Sequence, residues 1–200
     1  MLNAAIKTLA VAALALPLAA LAHTGADAGG HHHGLAAGFM HPITGADHLA
    51  AMVAVGLWSA LAARRAWPDL LWAPLAFAGM LLAGALMGLA GLQLPAVEPM
   101  IAASLLVLGL LVATRAHLPA GVAVSVVGLF ALFHGVAHGQ ELAGEHDAAL
   151  TLAGMVGATL LLHATGIATG WALRHANAWL PRIAGAGVLA LGATLLAQAA

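Results

Sequence analysis

The chain contains no cysteine and no tyrosine, and charged residues make up only 6% of its 200 positions. Without cysteine there are no disulfides, no thiolate metal sites and no thiol catalysis. Soluble chains carry about 25% charged residues, so this composition excludes a water-soluble globular domain. Six basic and seven acidic side chains are also too few for a nucleic-acid-binding surface or a disordered chain. Because 63% of the residues are hydrophobic, the sequence indicates an integral membrane protein in a lipid bilayer.

The first 22 residues have the features of a cleaved signal peptide. They contain one positive charge at Lys7, an apolar stretch, and the small-x-small pattern Ala20-Leu21-Ala22 that signal peptidase cuts after. An uncleaved first membrane helix is the alternative, although the stretch is near the short limit of a span. Residues 23–34 form a polar leader rich in histidine and glycine, which lies outside the membrane in either case. This leader is either a metal-collecting segment or an inert linker.

Hydropathy divides the rest of the chain, residues 35–200, into one domain of six apolar segments separated by proline or charge. The predicted fold is therefore an all-α integral membrane protein with six transmembrane helices. Six spans also allow a 3+3 inverted repeat, in which the second three helices repeat the first three in the opposite orientation. The predicted spans are residues 35–62, 70–92, 94–114, 118–139, 148–173 and 183–199.

The few charges predict the orientation of these spans. Every arginine of the mature chain falls in the first, third or fifth link, whereas the second and fourth links contain carboxylates and no basic residue. The positive-inside rule then places the arginine-bearing links in the cytoplasm and both mature termini on the periplasmic side of the inner membrane. Four of the five tryptophans lie near the same ends, as an interfacial belt requires. The arginines are Arg64, Arg65, Arg115, Arg174 and Arg182.

The first span contains the stretch His41-Pro42-Ile43-Thr44-Gly45-Ala46-Asp47-His48. The two histidines share a helical face, but about 10.5 Å of rise would separate them in a regular helix, too far for one ion. Either they serve successive sites or the helix is broken, and Pro42 and Gly45 favour a break. A carboxylate at membrane depth is rarely only structural, which makes Asp47 a functional candidate.

The fourth span ends in Phe133-His134-Gly135-Val136-Ala137-His138-Gly139-Gln140-Glu141. A spacing of four residues puts His134 and His138 on one face, about 6 Å apart along the axis, and close enough to bind one metal ion. Glu141 extends this face by another turn. His163 lies near the centre of the fifth span, and although a lone histidine is more often a core residue, two other histidine-bearing helices favour a ligand.

Position along the spans predicts two groups of these residues. His48 and His163 lie near the midpoints of their spans, whereas His41, His138 and Glu141 lie nearer the outer ends. Imidazoles with one or two carboxylates and no thiolate suit nickel, cobalt, zinc or Cu(II). The residues therefore predict the handling of a transition-metal ion, with no resident cofactor. The candidate metal ligands are His41, Asp47, His48, His134, His138, Glu141 and His163.

Two motifs give the chain a resemblance to a known family. The first is His-Pro-x-x-Gly-x-Asp-His-x-x-x-Met at residues 41–52, and the second is Phe-His-Gly-x-Ala-His-Gly-x-Glu at residues 133–141. Both are complete, and with the His-Thr-Gly start at His23 the chain resembles the HupE/UreJ family of nickel and cobalt permeases over essentially its whole length. The resemblance implies secondary uptake of nickel or cobalt, often to supply hydrogenase or urease, and no enzymatic activity.

Two other classes of function are weighed against a permease. An intramembrane zinc-dependent hydrolase would also carry histidines and an aspartate in the bilayer, but the sequence has no His-Glu-x-x-His pair. A metal sensor or assembly partner would need a cytoplasmic output surface, and the cytoplasmic links are short. No nucleotide-binding loop of the Gly-x4-Gly-Lys-Ser/Thr type occurs, so ATP does not drive transport within this chain. The expected partners are a divalent metal ion and the bilayer, without nucleic acid or nucleotide, and a homo-oligomer is compatible with the sequence.

Overall fold

The structure is a computed structural model that describes residues 34–64, 68–175 and 177–199. The predicted signal peptide and all but Gly34 of the predicted leader lie outside the described residues. Within them the chain forms seven helices and no strand, which confirms the all-α fold. The helices are α1 (Leu35–Thr44), α2 (Ala46–Ala62), α3 (Trp72–Leu89), α4 (Val97–Thr114), α5 (Ala120–Glu141), α6 (Ala148–Leu173) and α7 (Trp179–Gln198).

Helices α3 to α7 are each long and apolar enough to cross a membrane. The helices α1 and α2 meet at an angle of 81° and make a sixth span if the bent pair counts as one. The bend lies at Gly45, whose backbone is extended (φ −75°, ψ 116°). Pro42 precedes it and has no N–H to bond the carbonyl four residues earlier, which weakens the last turn of α1. Of the two alternatives for the first span, the structure therefore has the broken helix.

The other spans agree with their predicted positions to within a few residues. The largest difference is at α7, which begins at Trp179, four residues before the predicted start. Pro181 lies in the first turn of α7, where its missing N–H breaks no helical hydrogen bond. The helix therefore includes this proline, whereas the predicted span begins after it.

The six spans associate through glycines. Helix α3 packs along α5, α2 together with α1 packs along α6, and α4 packs along α7. At these contacts the backbones are so close that a Cβ added at Gly84 or Gly135 would overlap the facing helix backbone. Lipid chains are as apolar as leucine, so helices in a membrane associate by such close packing rather than by the hydrophobic effect.

Exposed tryptophans lie at one end of the bundle. Trp72 begins α3, Trp171 is near the end of α6 and Trp179 begins α7, and each exposes close to half of its surface or more. The guanidinium of Arg174 lies 4.5 Å from the centre of the Trp171 ring, and that of Arg182 lies 5.2 Å from the Trp179 ring. Aromatic side chains stacked with arginine are typical of a membrane interface.

Candidate metal centre

Three histidines from three helices meet at the end of the bundle opposite these tryptophans. The ring centre of His48 on α2 lies 4.5 Å from that of His138 on α5 and 5.6 Å from that of His41 on α1. The rings of His41 and His138 are 4.9 Å apart, and the ligand atoms of all three lie within 4.8 Å of one another. Two nitrogens bound to one tetrahedral ion are about 3.4 Å apart, so the three rings must move closer by about an ångström to share a metal.

The bend at Gly45 creates this triad of His41, His48 and His138. In a straight helix the first two would be separated by about 10.5 Å along the axis, whereas the bend brings α1 back over the end of α2. The predicted separation of His48 from His41 and His138 into a deeper group is therefore wrong. A sequence-based depth that counts residues along a straight helix does not apply on the two sides of a break.

Each of the two buried histidines of the triad is held by a carboxylate. The Nδ1 of His48 lies 2.9 Å from a carboxylate oxygen of Asp47, and the Nδ1 of His138 lies 3.3 Å from Glu141. Because an ionised carboxylate only accepts hydrogen bonds, each Nδ1 carries the proton, and in the neutral ring each Nε2 then presents its lone pair. This arrangement is typical of metal-binding histidines, whose second nitrogen donates to a carboxylate or carbonyl.

His134 and His163 have the same arrangement with backbone carbonyls. The Nδ1–H of His134 donates to the Phe130 carbonyl one turn earlier at 2.9 Å, and that of His163 donates across to the Met52 carbonyl at 2.8 Å. Neither belongs to the triad, although the His134 ring lies 5.4 Å from that of His48. The sequence predicts that His134 and His138 share one ion. In the structure His138 instead meets His41 and His48.

Four of these histidines have a buried ring nitrogen without a hydrogen-bond partner. In the part of the chain that the structure describes, a buried Nε2 without a hydrogen-bond partner occurs in His48, His134, His138 and His163. A buried polar atom left unbonded costs about 1–3 kcal/mol, and such atoms are rare unless a ligand completes them. The Nε2 lone pairs of these histidines are therefore available to bind a metal ion.

Phe77 of α3 separates the deepest histidine from the others. It is fully buried, and its ring centre lies 5.6 Å from the His134 ring and 5.2 Å from the His163 ring. His163 is thus brought to the same cluster but on the far side of an aromatic side chain. The sequence gives no signal for Phe77, since a phenylalanine in an apolar helix is an ordinary core residue.

Carboxylates surround the outer side of the triad. Asp47 is about a quarter exposed and Glu141 is more than half exposed. Glu98 at the start of α4 is close enough to interact electrostatically with both of them and with His48. Sequence reasoning did not include Glu98 among the site residues, although it is the one carboxylate in the second link, which the charge pattern places on the same side as Glu141. Three negative charges offset the cost of bringing a divalent cation to the membrane surface of the bundle.

The chain is similar to known proteins over most of its length. A family model described as HupE / UreJ protein matches residues 11–195. The chain belongs to the HupE/UreJ family. Its relatives include Protein HupE of Rhizobium leguminosarum bv. viciae, which is 43% identical over 192 residues, covering 94% of this chain and 96% of the relative. No solved structure matches the chain.

Family membership agrees with the two sequence motifs. In this HupE/UreJ protein the His41–His48 motif and the His134–Glu141 motif meet in one cluster, although they are far apart in the sequence. Members of the HupE/UreJ family are transporters rather than enzymes, so the protein is not an enzyme. Neither the family nor the relative supports the hydrolase alternative.

Proposed function

We propose that this protein takes up nickel or cobalt ions across the cytoplasmic membrane by secondary transport through a path lined by histidines and Asp47. The family is one of nickel permeases associated with hydrogenase and urease, which supports a divalent transition metal as cargo. In this proposal the signal peptide is removed, both mature termini lie in the periplasm, and the triad faces outward.

The observation that carries the proposal is the set of four buried Nε2 atoms that lack a partner. A structural histidine in an apolar helix would have both nitrogens satisfied or one exposed to water. Here each Nδ1 donates to a carboxylate or carbonyl, so the free lone pairs all belong to Nε2. Such donors, without a thiolate, suit nickel and cobalt better than Cu(I), magnesium or calcium.

The ligands form a sequence of sites from the outside inward. Glu98 and Glu141 attract the hydrated cation, and the triad binds it as water is removed. His134 then provides the next nitrogen, and His163 receives the ion beyond Phe77. Asp47 contributes negative charge at the triad, where an uncompensated divalent ion that has lost its water would be very costly.

The membrane potential is a sufficient driving force. One charge crossing an inside-negative potential gains about 2.3 kcal/mol per 100 mV, so a divalent cation gains about 4.6 kcal/mol. This corresponds to a concentration ratio of more than about a thousandfold, because each 1.4 kcal/mol is a factor of ten. Uptake therefore needs no ATP and no second coupled ion.

The test is uptake of radiolabelled nickel and cobalt into proteoliposomes with a defined inside-negative potential. We expect saturable uptake that collapses when the potential is removed. His48→Ala should lower the initial rate by at least about tenfold, because it removes a ligand from the triad. The matched control is His146→Ala, since this histidine is exposed in the α5–α6 link. Uptake no faster than in protein-free liposomes, at normal protein content, would contradict the proposed function.

A further inference from the structure

The spans form two tightly packed helix pairs. In the α3–α5 pair, a Cβ added at Gly84 would overlap the Leu132 carbonyl, and one added at Gly135 would overlap the Leu81 carbonyl. In the α2–α6 pair, a Cβ at Gly166 would overlap the Val53 carbonyl, and one at Gly56 would overlap that of His163. Such backbone contact leaves no room for the two helices of a pair to slide, so each pair moves as a unit.

The two pairs have the same register. In all four contacts the overlapped carbonyl belongs to the residue three positions before the glycine of the partner helix. The corresponding helices are α3 and α6 on one hand and α5 and α2 on the other, as a 3+3 inverted repeat requires, with each pair taking one helix from each half. The repeat expected from the number of spans thus gains support from a contact pattern that is independent of hydropathy.

The remaining helices, α4 and α7, make a reciprocal contact, in which each helix meets the other in the same way. A Cβ at Gly109 would meet the Gly185 carbonyl and the Leu189 amide, and one at Gly185 would meet the Gly109 carbonyl and the Ala113 amide. A reciprocal contact of this kind is what a two-fold axis produces.

The histidine triad bridges the two pairs. His41 and His48 belong to the broken first span, which packs on α6, whereas His138 belongs to the α3–α5 pair. The contact between Phe77 and His163 also crosses from one pair to the other. Between the pairs, these contacts are made by side chains rather than by backbone, so the pairs can separate without breaking a glycine contact.

At the opposite end of the bundle a cavity of about 280 Å³ lies between the same two pairs. Its walls are Trp58 and Ala62 of α2 on one side and Ala73 of α3 with Ala120 and Ala123 of α5 on the other. The indole N–H of Trp58 donates to the Ala116 carbonyl at 2.8 Å beside it. The cavity thus lies at the end opposite the triad, where the Ser59 hydroxyl of α2 also donates to the Leu70 carbonyl just before α3 at 2.6 Å.

We propose that this cavity is the vestibule through which the ion leaves, and that it opens and closes as the α2–α6 pair tilts against the α3–α5 pair about the α4–α7 contact. The proposal rests on the proposed uptake function for its direction, whereas the division into two moving units rests on the glycine contacts within each pair. When the pairs tilt, the triad separates as the cavity closes, and the Phe77–His163 contact lies between the two ends.

Cysteine cross-links test this movement, because the chain has no native cysteine. Ala62→Cys with Ala120→Cys places one thiol on each wall of the cavity, and a short bifunctional thiol reagent that is cleaved by reductant should join them. We expect nickel uptake to fall by at least about tenfold on linking and to return on reduction, since lost alternation stops turnover. Uptake that is equal in the linked and unlinked protein would overturn the proposal.

The matched control joins two helices of the same pair. Met80→Cys with Gly128→Cys gives a Cβ to Cβ distance of 3.9 Å, which falls within the range of a disulfide. Oxidation of this variant should leave uptake within about twofold of the reduced protein, because no movement within a pair is needed. Equal inhibition by this link would also contradict the division into two moving units.

A second measurement is independent of metal uptake. Spin labels at positions 62 and 120 in lipid nanodiscs should give at least two populations of distances, and labels at positions 80 and 128 should give one. A single narrow distance between positions 62 and 120, with and without nickel, would refute the movement whatever the uptake assay gives. Two populations in a protein without nickel uptake would instead refute only the proposed function.

Discussion

The two nitrogens of each site histidine have different tasks, and the partners of Nδ1 determine what a substitution removes. Asp47 fixes the ring of His48 through Nδ1 and also supplies a negative charge to the triad. An asparagine keeps an oxygen that accepts the Nδ1–H but loses the charge. The effect of charge can therefore be separated from that of ring orientation.

We predict that Asp47→Asn lowers the initial rate of nickel uptake by at least about tenfold, because a divalent ion in hydrocarbon then lacks compensation. Glu141→Gln should be milder and should mainly weaken apparent affinity, since Glu141 is more than half exposed and its charge is screened by water. The measurement is initial rate against metal concentration at matched membrane abundance. A wild-type rate for Asp47→Asn would show that the charge of Asp47 on α2 is not needed along the ion path.

His163 should affect turnover rather than capture. It lies beyond Phe77 and outside the triad, so His163→Ala is expected to leave nickel binding at the triad within about twofold while the maximal uptake rate falls at least about tenfold. Equilibrium binding to the detergent-purified protein and uptake by proteoliposomes measure the two quantities. Lost binding with an unchanged maximal rate would place His163 in the capture site instead.

At the scale of the helices, glycine decides how closely two spans approach. Gly84 and Gly79 are both on α3, but a Cβ at Gly84 would overlap the α5 backbone whereas a Cβ at Gly79 has nothing within 4 Å. We predict that Gly84→Ala destabilises the protein by about 1–3 kcal/mol and that Gly79→Ala is neutral or slightly stabilising. Thermal unfolding in the same detergent measures both. Equal stability of the two variants would mean that α3 and α5 are not in backbone contact.

The elements themselves follow from the sequence where local physics is sufficient. Hydropathy places α6 at residues 148–173, which are its observed limits, and Pro42 with Gly45 predict the break between α1 and α2. The triad does not follow, because it depends on the 81° bend and on side chains of α1 and α2 reaching His138 of α5 across the bundle. The partners of His134 and His163 are backbone carbonyls, which no side-chain motif records. Glu98 is missed because its proximity to Asp47 exists only in the folded bundle.

For the whole molecule the orientation in the membrane is the central prediction. His175 in the α6–α7 link and Ala143 in the α5–α6 link are both exposed, and the arginine pattern places them on opposite sides. In intact cells an impermeant thiol reagent should label Ala143→Cys and should label His175→Cys only after the membrane is permeabilised. The reverse labelling pattern would show that the protein has the opposite orientation, and the proposed direction of transport would then be export.

Trp58 gives the molecule a built-in optical reporter. It is 2% exposed, whereas Trp72, Trp171 and Trp179 expose between 46% and 63% of their surface to the surroundings. Replacing the other four tryptophans by phenylalanine would leave one indole, which lines the cavity opposite the triad and donates its N–H to the Ala116 carbonyl. Its emission colour depends on whether water reaches the ring. A shift of this emission on adding nickel would therefore show, without any label, that the inner end of the bundle responds to an ion bound at the outer end.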